Sequence, residues 1–156
     1  MSRLKLRAGA VGMTAALLAG GALAAGLSGA EAVKLRQTNM KALGAASKAF
    51  FEQIRSGAPD KGVVKVQADK IEAAAKALPT WFPSGSGPEA GAKTGALPII
   101  WAQPDAFAAA GRRLADQAAK LDAAGDAGDL AAVAAQAPAL GAACKGCHDK
   151  FRAREK

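Results

Sequence analysis

Apolar residues recur every three or four positions through most of the chain, and that spacing predicts four amphipathic helices. The first starts at Ser28 and runs to about Arg55, with Val33, Met40, Leu43, Phe50 and Ile54 on one face. Ser28-Gly29-Ala30-Glu31 reads as a capping box at its start. The second runs from Asp60, an N-cap residue type, to Leu78, with Val64, Ala68, Ile71, Ala75 and Leu78 in line. The third begins near Pro104, a good first-turn residue, with Phe107, Gly111, Leu114, Ala118 and Leu121 inward. The fourth runs from about Asp129 to Arg152, with Leu130, Val133, Ala137, Leu140 and Cys144 inward.

The connections differ in length. Ser56 to Asp60 closes the first pair, and Ala123 to Asp129 is read as the turn of the second. Between the pairs, Pro79 to Pro98 is rich in Gly, Pro and Ser and predicts a long loop. Trp81 and Phe82 at one end, and Ile99, Ile100 and Trp101 beyond the other, are expected to tack it to the core. Pro138 falls inside the fourth helix, so that helix must kink there or begin later.

Composition agrees with an all-α fold. The chain is rich in alanine, with five Phe, two Trp and no Tyr among 156 residues, which is too little β-branched and aromatic material for sheets. The fold class expected is an antiparallel four-helix bundle of one domain. An alanine core buries little area per residue, so a bulky group is expected to help fill it.

The first residues stand apart. Arg3, Lys5 and Arg7 precede an uncharged stretch from Ala8 to Leu27, and Ala22-Leu23-Ala24 fits a small-x-small cleavage rule. Residues 1–24 are read as a secretory signal and 25–156 as the mature domain, with periplasmic export expected. Cuts after Ala30 or Ala32 also fit the rule but would destroy the capping box. An uncleaved anchor is the competing reading; the stretch is poor in Leu and Ile for that role. Removing three cations takes the formal charge from +8 to +5. That excess is spread along the helices, which suits solubility or an acidic protein partner and gives no nucleic-acid module.

The chemistry lies at the C-terminus. Both cysteines and the one histidine fall in Cys144-Lys145-Gly146-Cys147-His148. C-x-x-C-H is the attachment signature of a c-type haem. Thiols three residues apart on a helix can form thioethers with two porphyrin vinyl groups, and His148 can reach the iron from the same face. A thioredoxin-like pair wants a βαβ context, a disulfide leaves the histidine unexplained, and zinc wants a further Cys or His that the chain lacks. Past the signal, Met40 is the one thioether left, and inward Met is more often core filler than ligand.

The mature chain resembles the class II cytochromes c, the cytochrome c-prime family. The resemblance rests on GAACKGCHDKFR near the end of the last helix, on AVKLRQTNM from Ala32 to Met40, on Trp81 with LPIIW from Leu97 to Trp101, and on AAGDAGDL. It implies one haem c, attached through Cys144 and Cys147, with His148 as axial iron ligand. It implies that Met40 faces the other side of the iron as sixth ligand, as in low-spin members, where high-spin members carry a bulky apolar residue. It implies that Arg36 pairs with a haem propionate, whereas without a carboxylate an inward arginine is costly and would snorkel outward. Arg152 is implied to lie near the proximal haem face, a helix end favoured by the dipole being the alternative. Phe151 is expected against the porphyrin, and Asp149 and Lys150 on the surface.

The function expected is one-electron transfer to periplasmic redox proteins, without enzymatic catalysis and with no nucleic acid. The alternative is binding or buffering of small gases (NO, CO) at an open sixth position. A haem-free structural or thiol-redox module is the third reading. A homodimer through the first two helices is the assembly that the resemblance suggests.

Overall fold

The computed structural model describes residues 26–154, so the expected signal segment lies outside the described residues. Among the described residues five α-helices form: α1 (Gly29–Arg55), α2 (Lys61–Ala77), α3 (Ile99–Ala102), α4 (Pro104–Asp126) and α5 (Leu130–Phe151). The four long helices make an antiparallel bundle. No strand is present among the described residues; the sole pairing of that kind is an antiparallel bridge between Ala96 and Arg152.

The helix starts are chemical. Ser28 and Glu31 form a reciprocal capping box, the Glu31 carboxylate accepting from the Ser28 amide at 2.8 Å. Asp60 accepts from the Val63 amide at 2.8 Å and Asp129 from the Ala132 amide at 2.9 Å. Pro104 opens α4.

Three expectations change. The third helix does not stop at Ala123 but runs to Asp126, leaving Ala127 to Asp129 as the turn; Gly128, at φ +63°, takes the left-handed conformation that closes it. The long loop gains two 3₁₀ turns, Leu78–Trp81 and Pro88–Ala90, and the single turn α3. Helix α5 runs unbroken through Pro138. Pro138 and Ala134, whose carbonyl loses its amide partner, are both exposed, so water can satisfy that carbonyl.

Phe50, Val64, Ile71, Leu121, Val133 and Leu140 are fully buried, and alanines 46, 68, 75, 118 and 137 fill between them. Small residues allow close approach: a Cβ on Gly125 of α4 would stand 3.6 Å from the Ala68 Cβ of α2. In the ring of helices α1 packs on α2, α2 on α4 and α4 on α5, whereas the backbones of α1 and α5 make few approaches. One side-chain contact on that seam is Phe51, 3.7 Å from where a Cβ of Gly141 would lie.

The α2–α4 seam carries a strained charge cluster. Lys65 bridges Asp69 at 2.8 Å and Asp126 at 2.5 Å. Asp122 lies beside Asp69, and its Oδ1 is buried with no hydrogen-bond partner. Desolvation, then the contact with Asp69 and the charges of Glu72 and Asp126, raises the Asp122 pKa above the ordinary carboxyl value. The folded state therefore holds this proton more tightly than the unfolded chain, and the stability this confers is lost as pH rises through the raised pKa. Asp122→Asn should stabilise the protein at pH 7, by up to about 1 kcal/mol given solvent screening, with the gain vanishing below the ordinary carboxyl pKa. Thermal midpoints of both proteins measured across pH check this.

Candidate haem-attachment site

Cys144, Cys147 and His148 all lie on α5, in its last two turns. The cysteines are unbridged and half-buried. Cys144 packs against the main core, and Cys147 against a second cluster formed by Ile100, Ala110 and Phe151. The motif thus joins the bundle core to an aromatic floor. In that floor Phe151 meets Phe107 at 5.2 Å, and Phe107 meets Phe82 at 4.7 Å, both edge to face.

Burial raises both thiol pKa values; at Cys147 the neighbouring Cys144 adds to this and Arg113 partly opposes it. The thiols are therefore protonated at neutral pH. A thiol-redox pair needs a depressed pKa, so the arrangement does not favour that chemistry. At His148, desolvation and then the charge of Arg152 lower the pKa, with Asp149 opposing. The imidazole is neutral at pH 7 and keeps a lone pair for a metal.

Met40 sits on α1, partly buried, against the same core that Cys144 touches. Arg36, one turn earlier, is 3% exposed, so it does not snorkel. Among the described residues no carboxylate meets it at hydrogen-bond distance. Its Nη1 donates to the Ser86 hydroxyl at 2.9 Å and to the Trp81 carbonyl at 3.5 Å. Its Nη2 donates to the Ser86 carbonyl and the Thr94 hydroxyl, each at 2.9 Å. The guanidinium also lies 4.7 Å from the Phe82 ring centre and 5.8 Å from that of Trp101. Desolvation lowers its pKa, with Glu89 partly offsetting this. A propionate reaching Arg36 would have to share a guanidinium whose terminal nitrogens already face loop acceptors.

The loop therefore closes on α1 through Arg36. Gln37 adds a bond to the Lys93 carbonyl at 2.8 Å. Gly29 is required here, because a Cβ at that position would fall 2.1 Å from the Gly85 carbonyl oxygen. The other end of the loop is tied to α5: the Leu97 amide donates to the Phe151 carbonyl at 3.0 Å and the Ala153 amide to Gly95 at 2.8 Å. Sequence reasoning found Trp81 and Phe82 but missed Ser86 and Thr94. Nothing in a Gly-Ser-Pro loop marks which hydroxyl will be buried.

A cavity of about 410 Å³ lies between Leu78, Phe82, Trp101 and Phe107 and contains none of the motif residues. Among the described residues no group of three or more His, Cys, Asp or Glu could hold a metal ion.

Two unbridged thiols, an adjacent neutral imidazole and a seam between α1 and α5 that the backbones leave open fit one bulky group attached to α5. These features define a helical-bundle haem protein. The chain belongs to the cytochrome c' family: the family model described as Cytochrome C' matches residues 31–152. The chain is 37% identical over 121 residues to cytochrome c' of Pararhodospirillum photometricum, covering 77% of this chain and 94% of that protein. It is similar to the crystal structure of cytochrome c' from Rubrivivax gelatinosus, at TM-score 0.74 and 32% identity, covering 80% of this chain and 97% of that one. It is also similar to a nitric oxide complex of a variant of the Alcaligenes xylosoxidans protein, at TM-score 0.73 and 27% identity, covering 81% and 98%.

Ser86→Ala would leave Arg36 with a lost hydroxyl acceptor in a buried place. A hydrogen bond to a charged group contributes about 1.5–3 kcal/mol. The unfolding free energy in water should fall by that amount, lowering the urea midpoint by that free energy divided by the unchanged slope; an unmoved midpoint would show that Ser86 does not hold the loop.

Proposed function

We propose that the chain is an exported haem c protein that carries single electrons, with Cys144 and Cys147 as thioether attachments, His148 as axial ligand and Met40 as sixth ligand. When bound, the haem supplies one-electron exchange between ferric and ferrous iron. The residues of the chain hold it, exclude water and set its ligands. Cys144 and Cys147 fix one edge to α5. The neutral His148 offers its lone pair. Phe151, Phe107 and Phe82 supply an apolar floor. The observation that carries the reading is Met40: a thioether on α1, half-buried against the core that Cys144 also touches. A Met ligand raises the potential, and filled axial positions limit rearrangement during transfer.

A second reading is binding of small gases at an open sixth position, and the comparisons favour it more. The relatives named above are cytochromes c', and the Alcaligenes xylosoxidans variant was solved with nitric oxide bound. No helix among the described residues is long and apolar enough to cross a membrane, which is compatible with a free periplasmic protein. Leu35, Val63 and Val66 stay exposed on α1 and α2, which supports a homodimer through those helices. Val66→Lys should then lower the sedimentation mass to that of a monomer.

The deciding experiment is the visible spectrum of the haem-loaded protein, ferric and ferrous, with and without carbon monoxide. The expected wild type is low-spin and slow to take carbon monoxide, and Met40→Leu should convert it to a high-spin form that binds carbon monoxide readily. A wild type that is already high-spin with ready binding would overturn Met40 as ligand and leave the gas-binding reading in its place.

A further inference from the structure

The net positive charge of the chain is not evenly distributed over the bundle. From Lys145 onward, the described part of α5 and the residues after it carry Lys145, Lys150, Arg152 and Arg154 against one acid, Asp149. Lys145 pairs with Asp149, and its side chain remains 75% exposed. The Lys150 ammonium stands 5.3 Å from the Phe151 ring centre. His148, Asp149, Arg152 and Arg154 line a surface hollow of about 200 Å³. From α4, Arg113 lies close enough for its charge to act on Cys147. The opposite end of the bundle, where α2 starts and α4 ends, gathers Asp60, Asp69, Asp122, Asp126 and Asp129 among lysines such as Lys61 and Lys65. The molecule is therefore polarised along its axis, with the positive end at the attachment motif.

We propose that this positive end is the docking face for an acidic surface on an electron-exchanging protein. The inference rests on the electron-carrier reading. A field of this kind orients an anionic partner before contact and raises the encounter rate, and salt screens it over about 8–10 Å. It brings the partner to the end of α5 where His148 and Cys147 lie, which shortens the path that an electron must cross. An anionic lipid surface would meet the same charges. It is disfavoured because membrane-surface binding also wants large apolar side chains to insert. Of the exposed large apolar residues among the described ones, Val63 and Val66 lie at the other end, and Leu27 and Leu35 at the start of α1 are two aliphatic side chains with no exposed large aromatic beside them.

The test uses the haem-loaded full chain. Stopped-flow oxidation of the ferrous protein is followed with anionic hexacyanoferrate(III) and cationic tris(phenanthroline)cobalt(III) across ionic strength. Lys150→Glu combined with Arg154→Glu should slow the hexacyanoferrate reaction roughly tenfold at low salt and speed the cobalt reaction. Lys61→Glu combined with Lys120→Glu, toward the other end, should change either rate by less than about twofold. Poly-L-glutamate should inhibit the wild type and not the Lys150/Arg154 variant. Exchange that proceeds equally in both variant pairs would overturn the docking face while leaving the carrier reading intact. Absence of exchange with either reagent would remove the carrier reading and the face together. Sedimentation with phosphatidylglycerol vesicles, without inhibition by polyglutamate, would reject a protein partner in favour of a membrane.

Discussion

Everything at the motif end of the bundle depends on one buried cation. Arg36 could not lie inside the protein alone, since stripping water from a guanidinium costs several kcal/mol even after relaxation. The loop between α2 and α4 supplies the replacement solvent: two hydroxyls, two carbonyls and two aromatic faces. The dependence runs both ways. Residues 79–98 have little apolar content to bury, so the charge-assisted bonds to Arg36, with the backbone bonds to Phe151 and Ala153, hold the loop in one conformation.

That loop is a strap across the seam that the helices leave open. The α1 and α5 backbones make few approaches, yet the loop bonds to α1 through Arg36 and Gln37, to α5 through Phe151, and to Ala153 just beyond it. A bundle with an alanine-rich core can hold two helices apart only if something else spans them. Here the strap spans the end, and the attachment motif stands in the seam beside it. The fully buried Ser86 joins these links: it accepts from Arg36 and donates to the Pro83 carbonyl at 2.7 Å.

The helices were legible in the sequence because their signals are local. Ser28, Asp60 and Asp129 cap where hydrogen-bond chemistry predicts, and the apolar period marked most of the buried face. The end of α4 was misread because Gly125 looks like a breaker; in the fold it is buried inside the helix, where Ala68 packs on it. The C-x-x-C-H motif was legible as chemistry, since its residue types and spacing are themselves the signal. The environment of Arg36 was not legible. Its acceptors lie about fifty residues away in sequence, in a segment whose composition predicts only a loop. The protein groups that meet it are neutral loop oxygens, which no periodic pattern marks.

This arrangement explains how one bundle can serve either of two haem chemistries. Arg36 is held by protein acceptors before any cofactor is considered, so the register of α1 along the seam is set by the strap. Residue 40 lies one turn further along a rigid helix. Its position is thereby fixed independently of what it is. A thioether there can meet a metal, and a branched apolar side chain can only crowd it. On the function proposed above, the choice between carrying electrons and taking a diatomic gas would rest on the side chain at position 40, while the bundle, the strap and the α5 motif stay the same.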